Sequence, residues 1–314
     1  MENISTLAAR LSESIGSVII GKDEVIRKII ISLLCGGHVL LEDIPGTGKT
    51  TMAKALARSI DSKWGRVQFT PDLLPSELTG INYYNQKESA FVFKPGAIFT
   101  NILLGDEINR ATPRTQSSLL ECMEEGQVSV DGVTYPLEKP FLVIATQNPI
   151  EIQGTFPLPE AQLDRFFMRL SMGYPDPASE QQMLRNLKTA HPVDSIVPVA
   201  STEEILAAQA AVREVKVGEA VSGYIVSIVN ATRQSDKVRL GVSPRGSLAL
   251  MRAAQANAAV EGRDFVKPDD VKAVAADVLS HRIIMKGYSA AQSSDASRKL
   301  VETIVAQIRT PVEG

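Results

Sequence analysis

The chain has 314 residues, enough for two domains with separate hydrophobic cores. Its formal net charge of −3 gives no overall basic field for nucleic acid or an anionic membrane, and its two cysteines favour a reduced setting over a disulfide framework. The N-terminus lacks the apolar core of a signal peptide and no apolar run approaches a membrane span, so we expect a cytoplasmic protein without membrane insertion.

Two helices are predicted at the start of the chain. The first has apolar residues on one helical face (Ile4, Leu7, Leu11 and Ile15), and the second covers residues 25–34. The apolar turn between them, 18–21, lies shortly before a Gly-x-Gly-Lys-Thr loop at 46–50 of the type that binds nucleotide phosphates, so Ile20 and Gly21 are well placed to pack on an adenine ring. Packing in the core explains the same turn equally well.

Residues 39–60 predict a strand, a glycine-rich loop and a helix. Gly46 and Gly48 let backbone N–H groups close around phosphate oxygens, and the helix that follows directs its positive dipole end at the same anion. Lys49 would reach the β- and γ-phosphates of ATP, and the hydroxyl of Thr50 would bind Mg²⁺. The predicted phosphate-contacting set is Pro45, Gly46, Thr47, Gly48, Lys49, Thr50 and Thr51.

One residue departs from the general phosphate-loop pattern. Asp43 stands where the pattern has its first glycine. Aspartate tolerates a left-handed backbone, so the loop can still form if this side chain points away from the phosphates. If it points toward them, nucleotide affinity decreases.

Four further apolar segments, 66–69, 102–105, 141–146 and 167–172, predict strands of a parallel α/β sheet, because helical or loop-rich stretches separate them. Two intervals are too long for simple crossovers. A hairpin insertion is predicted within 80–100, and an Asp-Gly turn predicts a second within 126–140.

The sheet pattern ends at a segment rich in helix breakers, 173–177. Only helices are predicted after it, at 179–188, 202–213, 218–232, 244–261, 267–279 and 297–308. We therefore expect two domains, comprising residues 1–175 and 176–314.

The strand at 102–105 runs directly into two carboxylates. Asp106 is suited to hold the hydration shell of Mg²⁺, and Glu107 to orient and deprotonate an attacking water. The strand at 141–146 is followed by Asn148, whose amide can hold water at the same edge of the sheet. Its spacing fits a turn-forming residue before proline just as well.

These residues together resemble the MoxR family of AAA+ ATPases, over nearly the whole chain. The motifs that carry the resemblance are Pro45-Gly46-Thr47-Gly48-Lys49-Thr50, Asp106-Glu107-Ile108-Asn109-Arg110-Ala111, Ala145-Thr146-Gln147-Asn148-Pro149, Leu158-Pro159-Glu160-Ala161-Gln162-Leu163-Asp164-Arg165-Phe166 and Gly241-Val242-Ser243-Pro244-Arg245. The resemblance implies an α/β fold in which an AAA+ core, with a parallel sheet between helices, precedes an all-helical lid domain. It also implies that the two hairpins are the helix-2 insert and the pre-sensor-1 hairpin.

The resemblance also assigns roles to three residues. Asn148 takes the position of sensor 1, Arg165 that of the arginine finger that reaches a neighbouring subunit's nucleotide, and Arg245 that of the sensor 2 arginine of the lid. A finger supplied by a neighbour requires a head-to-tail interface, which closes into a ring. Six subunits is the usual number in the family.

Our first functional hypothesis is a hydrolase that cleaves ATP with Mg²⁺ and remodels, assembles or matures a protein client. The resemblance implies a chaperone-like role with a partner that contains a von Willebrand factor A domain. A second hypothesis is an ATP-gated oligomeric scaffold with negligible turnover, consistent with Asp43. A nucleic-acid motor is a third, disfavoured by an acidic chain whose hairpins carry few basic residues.

Overall fold

The computed structural model describes residues 2–42, 46–148, 154–186, 192–288 and 290–311. The N-terminal part alternates helices and strands: α1 (Glu2–Gly16), α2 (Asp23–Leu34), β1 (Val39–Glu42), α3 (Lys49–Ser59), β2 (Trp64–Gln68), α4 (Pro75–Thr79), β3 (Ile81–Asn85), β4 (Ala90–Lys94), β5 (Ile102–Asp106), α5 (Pro113–Glu125), β6 (Gln127–Val130), β7 (Val133–Pro136), β8 (Leu142–Gln147), α6 (Glu160–Leu163) and β9 (Met168–Leu170). The C-terminal part contains α7 (Pro177–Asn186), α8 (Thr202–Val212), α9 (Glu219–Gln234), β10 (Val238–Leu240), α10 (Pro244–Val260), α11 (Pro268–Leu279), β11 (Ile284–Met285) and α12 (Ala290–Gln307).

Five strands form a parallel sheet in the order β2-β5-β8-β1-β9. Its central strands are apolar at successive positions because both faces are covered. In β1, Leu40 packs in one hydrophobic cluster while Val39 and Leu41 pack in another, and β5 and β8 alternate in the same way. The predicted α/β fold with a parallel sheet between helices is confirmed.

Both predicted hairpins are present. Strands β3 and β4 pair antiparallel from Ile81 with Lys94 to Asn85 with Ala90. Strands β6 and β7 are joined by Asp131 and Gly132, whose φ angles of +51° and +81° suit the tight turn that an Asp-Gly pair predicts.

The two hairpins also contact each other, which the sequence did not predict. The rings of Phe93 and Tyr135 stack with their centroids 3.9 Å apart. The side-chain amide of Asn82 donates a hydrogen bond of 2.8 Å to Asp131. The insertions therefore form one connected surface, although 32 residues (95–126) lie between the end of β4 and the start of β6.

The C-terminal part is mainly helical, as predicted, but it differs in two details. Helix α12 begins at Ala290 and not near Ser297. In addition, β10 and β11 form a short antiparallel ribbon that the prediction of helices alone missed. Strands of three and two residues are too short to produce a recognisable alternation of apolar and polar residues.

The larger hydrophobic cluster joins the two parts of the chain. It contains one face of the sheet, the apolar faces of α1, α2 and α3, and buried residues from α8 to α12. Helix α1 packs on both α3 and α10. The C-terminal helices are thus fixed relative to the sheet through the two N-terminal helices. Within the described ranges, no helix is both long and apolar enough to cross a membrane.

Candidate functional site

The predicted phosphate loop lies between β1 and α3. Gly46 and Gly48 have φ angles of +85° and +90°, a backbone region that side chains other than glycine rarely adopt. Gly48 caps the amino terminus of α3, so Lys49 and Thr50 form its first turn, with both residues half-buried. The N–H groups of the first turn and the positive dipole end of α3 therefore face the loop. Thr47 and Thr51 are also half-buried here, whereas Asp43 and Pro45 lie outside the described residues.

The two predicted carboxylates follow each other at the end of β5, at the same edge of the sheet. The register pairs Gly105 with Ala145, so Asp106 lies beside Thr146 of β8. The Thr146 hydroxyl donates to Asp106 Oδ1 at 2.7 Å and accepts from the backbone N–H of Glu107 at 2.8 Å. One buried hydroxyl thus fixes both acidic residues.

Glu107 has a left-handed backbone, with φ +57° and ψ +51°. This conformation is uncommon for a residue with a side chain, and such strain is concentrated at functional sites. The Glu107 carboxylate accepts a hydrogen bond of 2.9 Å from Gln68 and lies 2.8 Å from Arg110 Nε. Arg66 donates to Asp106 Oδ2 at 2.8 Å. Sequence reasoning missed all three partners. Only strand pairing brings Arg66 and Gln68 of β2 beside β5, whereas Arg110 lies three residues after Glu107.

Asn148 follows β8 at this edge and is buried. Its side chain is therefore largely shielded from bulk solvent. The choice between an amide that holds water and a turn-forming residue before proline stays a prediction, since Pro149 is outside the described part.

Ile20 and Gly21 lie in the turn between α1 and α2. Gly21 has φ +70°, and a Cβ atom there would be 2.2 Å from the hydroxyl oxygen of Ser179 in α7. Lys22 Nζ donates to the carbonyl oxygen of Tyr174 at 2.8 Å. Close packing against the start of the C-terminal part therefore accounts for the glycine, and an adenine contact at Ile20 and Gly21 stays a prediction.

Arg165 and Arg245 meet at a single carboxylate. Arg165 Nε lies 3.0 Å from Oε2 of Glu124, and Arg245 Nη1 lies 3.2 Å from Oε1 of the same residue. Glu124 is next to the last residue of α5. No pattern in the sequence indicated it as a partner of either arginine.

This arginine pair lies at the opposite end of the sheet from the phosphate loop. The carbonyl oxygen of Met123 is 2.9 Å from Nε2 of His38, the residue before β1. The backbone N–H of Phe167, just before β9, donates to the carbonyl oxygen of His38. Arg165 and Glu124 are therefore near the amino ends of β1 and β9, whereas Lys49 and Asp106 are at carboxyl ends. The structure divides the predicted site residues into two groups.

A buried ion pair holds the segments that carry the two arginines. Arg282 Nε donates to Asp164 Oδ1 at 2.6 Å, and Arg282 Nη2 donates to the carbonyl oxygen of Phe166 at 2.8 Å. Burial lowers the pKa of Arg282, and the Asp164 carboxylate opposes that shift. At Gly246, a Cβ atom would be 2.3 Å from Val242 Cγ1 and 3.0 Å from Arg282 Cδ. The start of α10 is thus packed directly on this pair.

A second buried arginine links the end of β1 to the last helix. Glu42 precedes the phosphate loop and accepts a hydrogen bond of 2.7 Å from Ser294 of α12. Arg169 Nη1 is 3.6 Å from the same carboxylate, and Arg169 Nη2 donates to Ser280 Oγ at 3.2 Å. Burial lowers the pKa of Arg169, and Glu42 opposes the shift. These contacts connect the phosphate-loop strand to the C-terminal helices.

The donors near the phosphate loop suit Mg²⁺ better than a transition metal. The described ranges contain no group of three or more His, Cys, Asp or Glu side chains placed to hold a metal ion. The Thr50 hydroxyl and the Asp106 carboxylate offer oxygen only, and Mg²⁺ is typically held by one or two carboxylates together with water and phosphate oxygens. The residues present therefore fit Mg²⁺ brought in with a nucleotide.

Two family models match the chain. The ATPase family associated with various cellular activities matches residues 38–168, and the AAA lid domain matches residues 230–306. The first range contains the phosphate loop, both hairpins and Arg165, and the second contains Arg245.

Similar proteins cover almost the whole chain. YeaC of Bacillus subtilis is 47% identical over 99% of this chain and 97% of its own length. Chaperone MoxR1 of Mycobacterium tuberculosis is 39% identical over 94% of this chain and 80% of its own. Protein MoxR of Methylorubrum extorquens is 30% identical over 97% and 95%. A crystal structure of a Cytophaga hutchinsonii protein superposes with a TM-score of 0.89 at 37% identity, over 99% of this chain and 98% of that one.

Proposed function

Because the chain belongs to the MoxR family of AAA+ ATPases, we propose that it hydrolyses ATP with Mg²⁺ to remodel, assemble or mature a protein client. The observation that carries this proposal is the division of the charged residues between the two ends of the sheet. The residues proposed to bind phosphate and activate water lie at the carboxyl ends, and a pair of arginines lies at the amino ends. We include in the proposal a core of residues 1–175 and a lid of residues 176–314.

The residues at the carboxyl ends of the strands would supply the groups that hold ATP and activate water for attack on its γ-phosphorus. Lys49 and the N–H groups of the loop would hold the β- and γ-phosphates, and Thr50 and Asp106 would hold Mg²⁺, which neutralises charge on the phosphate oxygens when bound. Glu107 would take a proton as a water oxygen bonds to the γ-phosphorus and the bridging bond to ADP breaks. Asn148 would orient that water. The Thr146 hydroxyl supports these roles, because it fixes Asp106 and the backbone of Glu107 together.

The arginine pair would act on the nucleotide of a neighbouring subunit. Both guanidinium groups are bonded to Glu124 near the amino ends of β1 and β9, away from the phosphate loop of their own chain. A guanidinium that arrives only on assembly can accelerate phosphoryl transfer by about 10³ to 10⁵. A head-to-tail interface of this kind closes into a ring, for which we propose six subunits.

The connected hairpins are the surface that we propose for the client. Phe91 and Tyr84 are 74% and 53% exposed at the outer part of the first hairpin, and their rings contact edge to face. Exposed aromatic side chains are frequent at protein interfaces and scarce elsewhere on soluble surfaces. The relative named chaperone MoxR1 supports a chaperone-like role, and we propose a partner that contains a von Willebrand factor A domain.

We propose that this function is exercised in the cytoplasm. Cys35 and Cys122 are both free thiols, and burial raises the pKa of each to about 12. Thiols of this kind are unreactive side chains of the core, as expected in a reducing compartment.

The test is the rate of ATP hydrolysis as a function of protein concentration. We expect the rate per chain to increase with concentration and to be lost in Glu107→Gln while ATP still binds. A pull-down with Glu107→Gln in ATP should recover a protein client. Negligible product in a single-turnover experiment at high concentration would instead support the ATP-gated scaffold.

A further inference from the structure

Glu124 provides one negative charge to two guanidinium groups. Its oxygens lie 3.0 Å from Arg165 Nε and 3.2 Å from Arg245 Nη1. We propose that Glu124 is a positioning residue that holds the two arginines side by side, so that both can engage the phosphates of the neighbouring subunit's nucleotide. This inference rests on the function proposed above.

The backbone that carries Glu124 is held at several points. Nδ1 of the buried His38 accepts from the N–H of Val143, so Nε2 carries the hydrogen and donates to the carbonyl oxygen of Met123. Gly126 ends α5 with φ +62°, and its carbonyl oxygen accepts from the N–H of Leu137. The carboxylate therefore extends from a rigid helix end that is joined to β1 and β8.

The backbones of both arginines are held as well, and each long side chain contacts Glu124. The Arg282–Asp164 ion pair and the close packing at Gly246 fix where each arginine leaves the chain. Arginine side chains have many rotamers, and two like charges repel each other. A carboxylate between them restricts both side chains and offsets the repulsion.

The charge balance favours a further anion. One carboxylate and two guanidinium groups leave one positive charge in excess. The side chains of Arg165, Arg245 and Glu124 are 30%, 49% and 36% exposed, so the ion pairs are weak enough for a more highly charged phosphate to join or displace the carboxylate. Glu124 thus positions the two arginines and competes only weakly with the nucleotide phosphates for their guanidinium groups.

The decisive variant is Glu124→Gln, with Glu125→Gln as the matched control on the same helix. At a protein concentration that saturates assembly, we expect Glu124→Gln to lower kcat about fivefold, the range of an exposed ion pair. The KM for ATP, nucleotide binding and the Tm should remain at wild-type values, and Glu125→Gln should retain wild-type kcat. The variant Glu124→Asp keeps the charge but is too short to reach both arginines, so its kcat should also decrease.

Variants of the two arginines distinguish failure of the inference about Glu124 from failure of the role proposed for the arginines themselves. In a chain that already carries Arg165→Ala and Arg245→Ala, Glu124→Gln should produce no further decrease in kcat, because it acts through those side chains. A kcat of Glu124→Gln at or above the wild-type value, with both arginine variants impaired, would overturn the inference alone. If Arg165→Ala and Arg245→Ala hydrolyse ATP at the wild-type rate, the role proposed for the two arginines fails and the role of Glu124 fails with it, while ATP hydrolysis itself stands.

Discussion

The two ends of the sheet hold their charged residues in different ways. At the carboxyl ends, Asp106 and Glu107 are only 15% and 22% exposed, and the buried Thr146 hydroxyl connects them. At the amino ends, Arg165 and Arg245 are more exposed and share one carboxylate. Hydrogen bonds with the buried Thr146 hold the residues at the carboxyl ends. The residues at the amino ends carry an excess of positive charge and are open to solvent. This difference supports the proposal that a second copy completes the site.

The largest effect should come from mixing two inactive chains. We expect Glu107→Gln and Arg165→Ala each to lower the ATPase rate by about 10³. Mixed in equal amounts, they should regain roughly a quarter of wild-type activity, because random head-to-tail pairing joins an intact Glu107 to an intact Arg165 at that fraction of interfaces.

The control for mixing is Arg239→Ala, which removes an exposed arginine that pairs with Glu160. Alone it should hydrolyse ATP at the wild-type rate. A mixture of the two inactive chains that stays inactive, although size-exclusion chromatography shows joint assembly, would mean that the arginine acts within its own chain.

We expect the protein to become less stable at acidic pH because of His38, which lies at the amino end of β1. Burial lowers the pKa of His38 to about 4, below its ordinary value of 6.5. Between these values the unfolded chain binds a proton that the folded chain does not, so the free energy of unfolding decreases as pH falls from 6.5 to 4. The loss is on the order of 3 kcal/mol for this residue.

The measurement for His38 is urea unfolding between pH 4 and 8. His38→Gln should unfold with a smaller dependence on pH than the wild type. Some dependence should remain, because burial also lowers the pKa of His281, with Arg282 and Arg169 adding to the shift. Identical slopes for the wild type and His38→Gln would contradict the assignment.

Thr146→Val tests the support of the carboxyl-end carboxylates. The substitution keeps the shape of the side chain but removes both hydrogen bonds to Asp106 and Glu107. We expect kcat to decrease about tenfold, because a lost hydrogen bond to a charged group is worth roughly 1.5 kcal/mol or more. ATP should still bind.

Thr100→Val is the matched control for that substitution. Thr100 is also buried, and its hydroxyl has no hydrogen-bond partner among the described residues. Its replacement should leave kcat unchanged and the Tm unchanged or slightly higher. Equal kinetics for the two valine variants would remove the role assigned to Thr146.

The smallest effect concerns the connection between the phosphate-loop strand and the lid. Ser294→Ala removes the hydrogen bond to Glu42 and should raise the KM for ATP about fivefold, since a hydrogen bond contributes about 1 kcal/mol. Ser227→Ala removes a hydroxyl bond within α9 and should leave the KM unchanged. Steady-state ATPase kinetics check both variants.

Sequence reasoning succeeded where the information is local. Gly46 and Gly48 need a left-handed backbone, Asp131-Gly132 specifies a tight turn, and strand β5 ends directly in Asp106 and Glu107. It failed for β10 and β11, since elements of two or three residues carry almost no periodicity.

The sequence alone determined the family, the order of the main elements and the glycine-rich loop between β1 and α3, because each depends on residue types at short, fixed spacings. Only the tertiary structure decided what those residues contact. Gln68 lies 39 residues from Glu107 along the chain, and Arg245 lies 121 residues from Glu124. Such pairs follow from strand order and helix packing, which bring together positions that no spacing in the sequence relates. The division of the site between opposite ends of one sheet is therefore visible only in the fold.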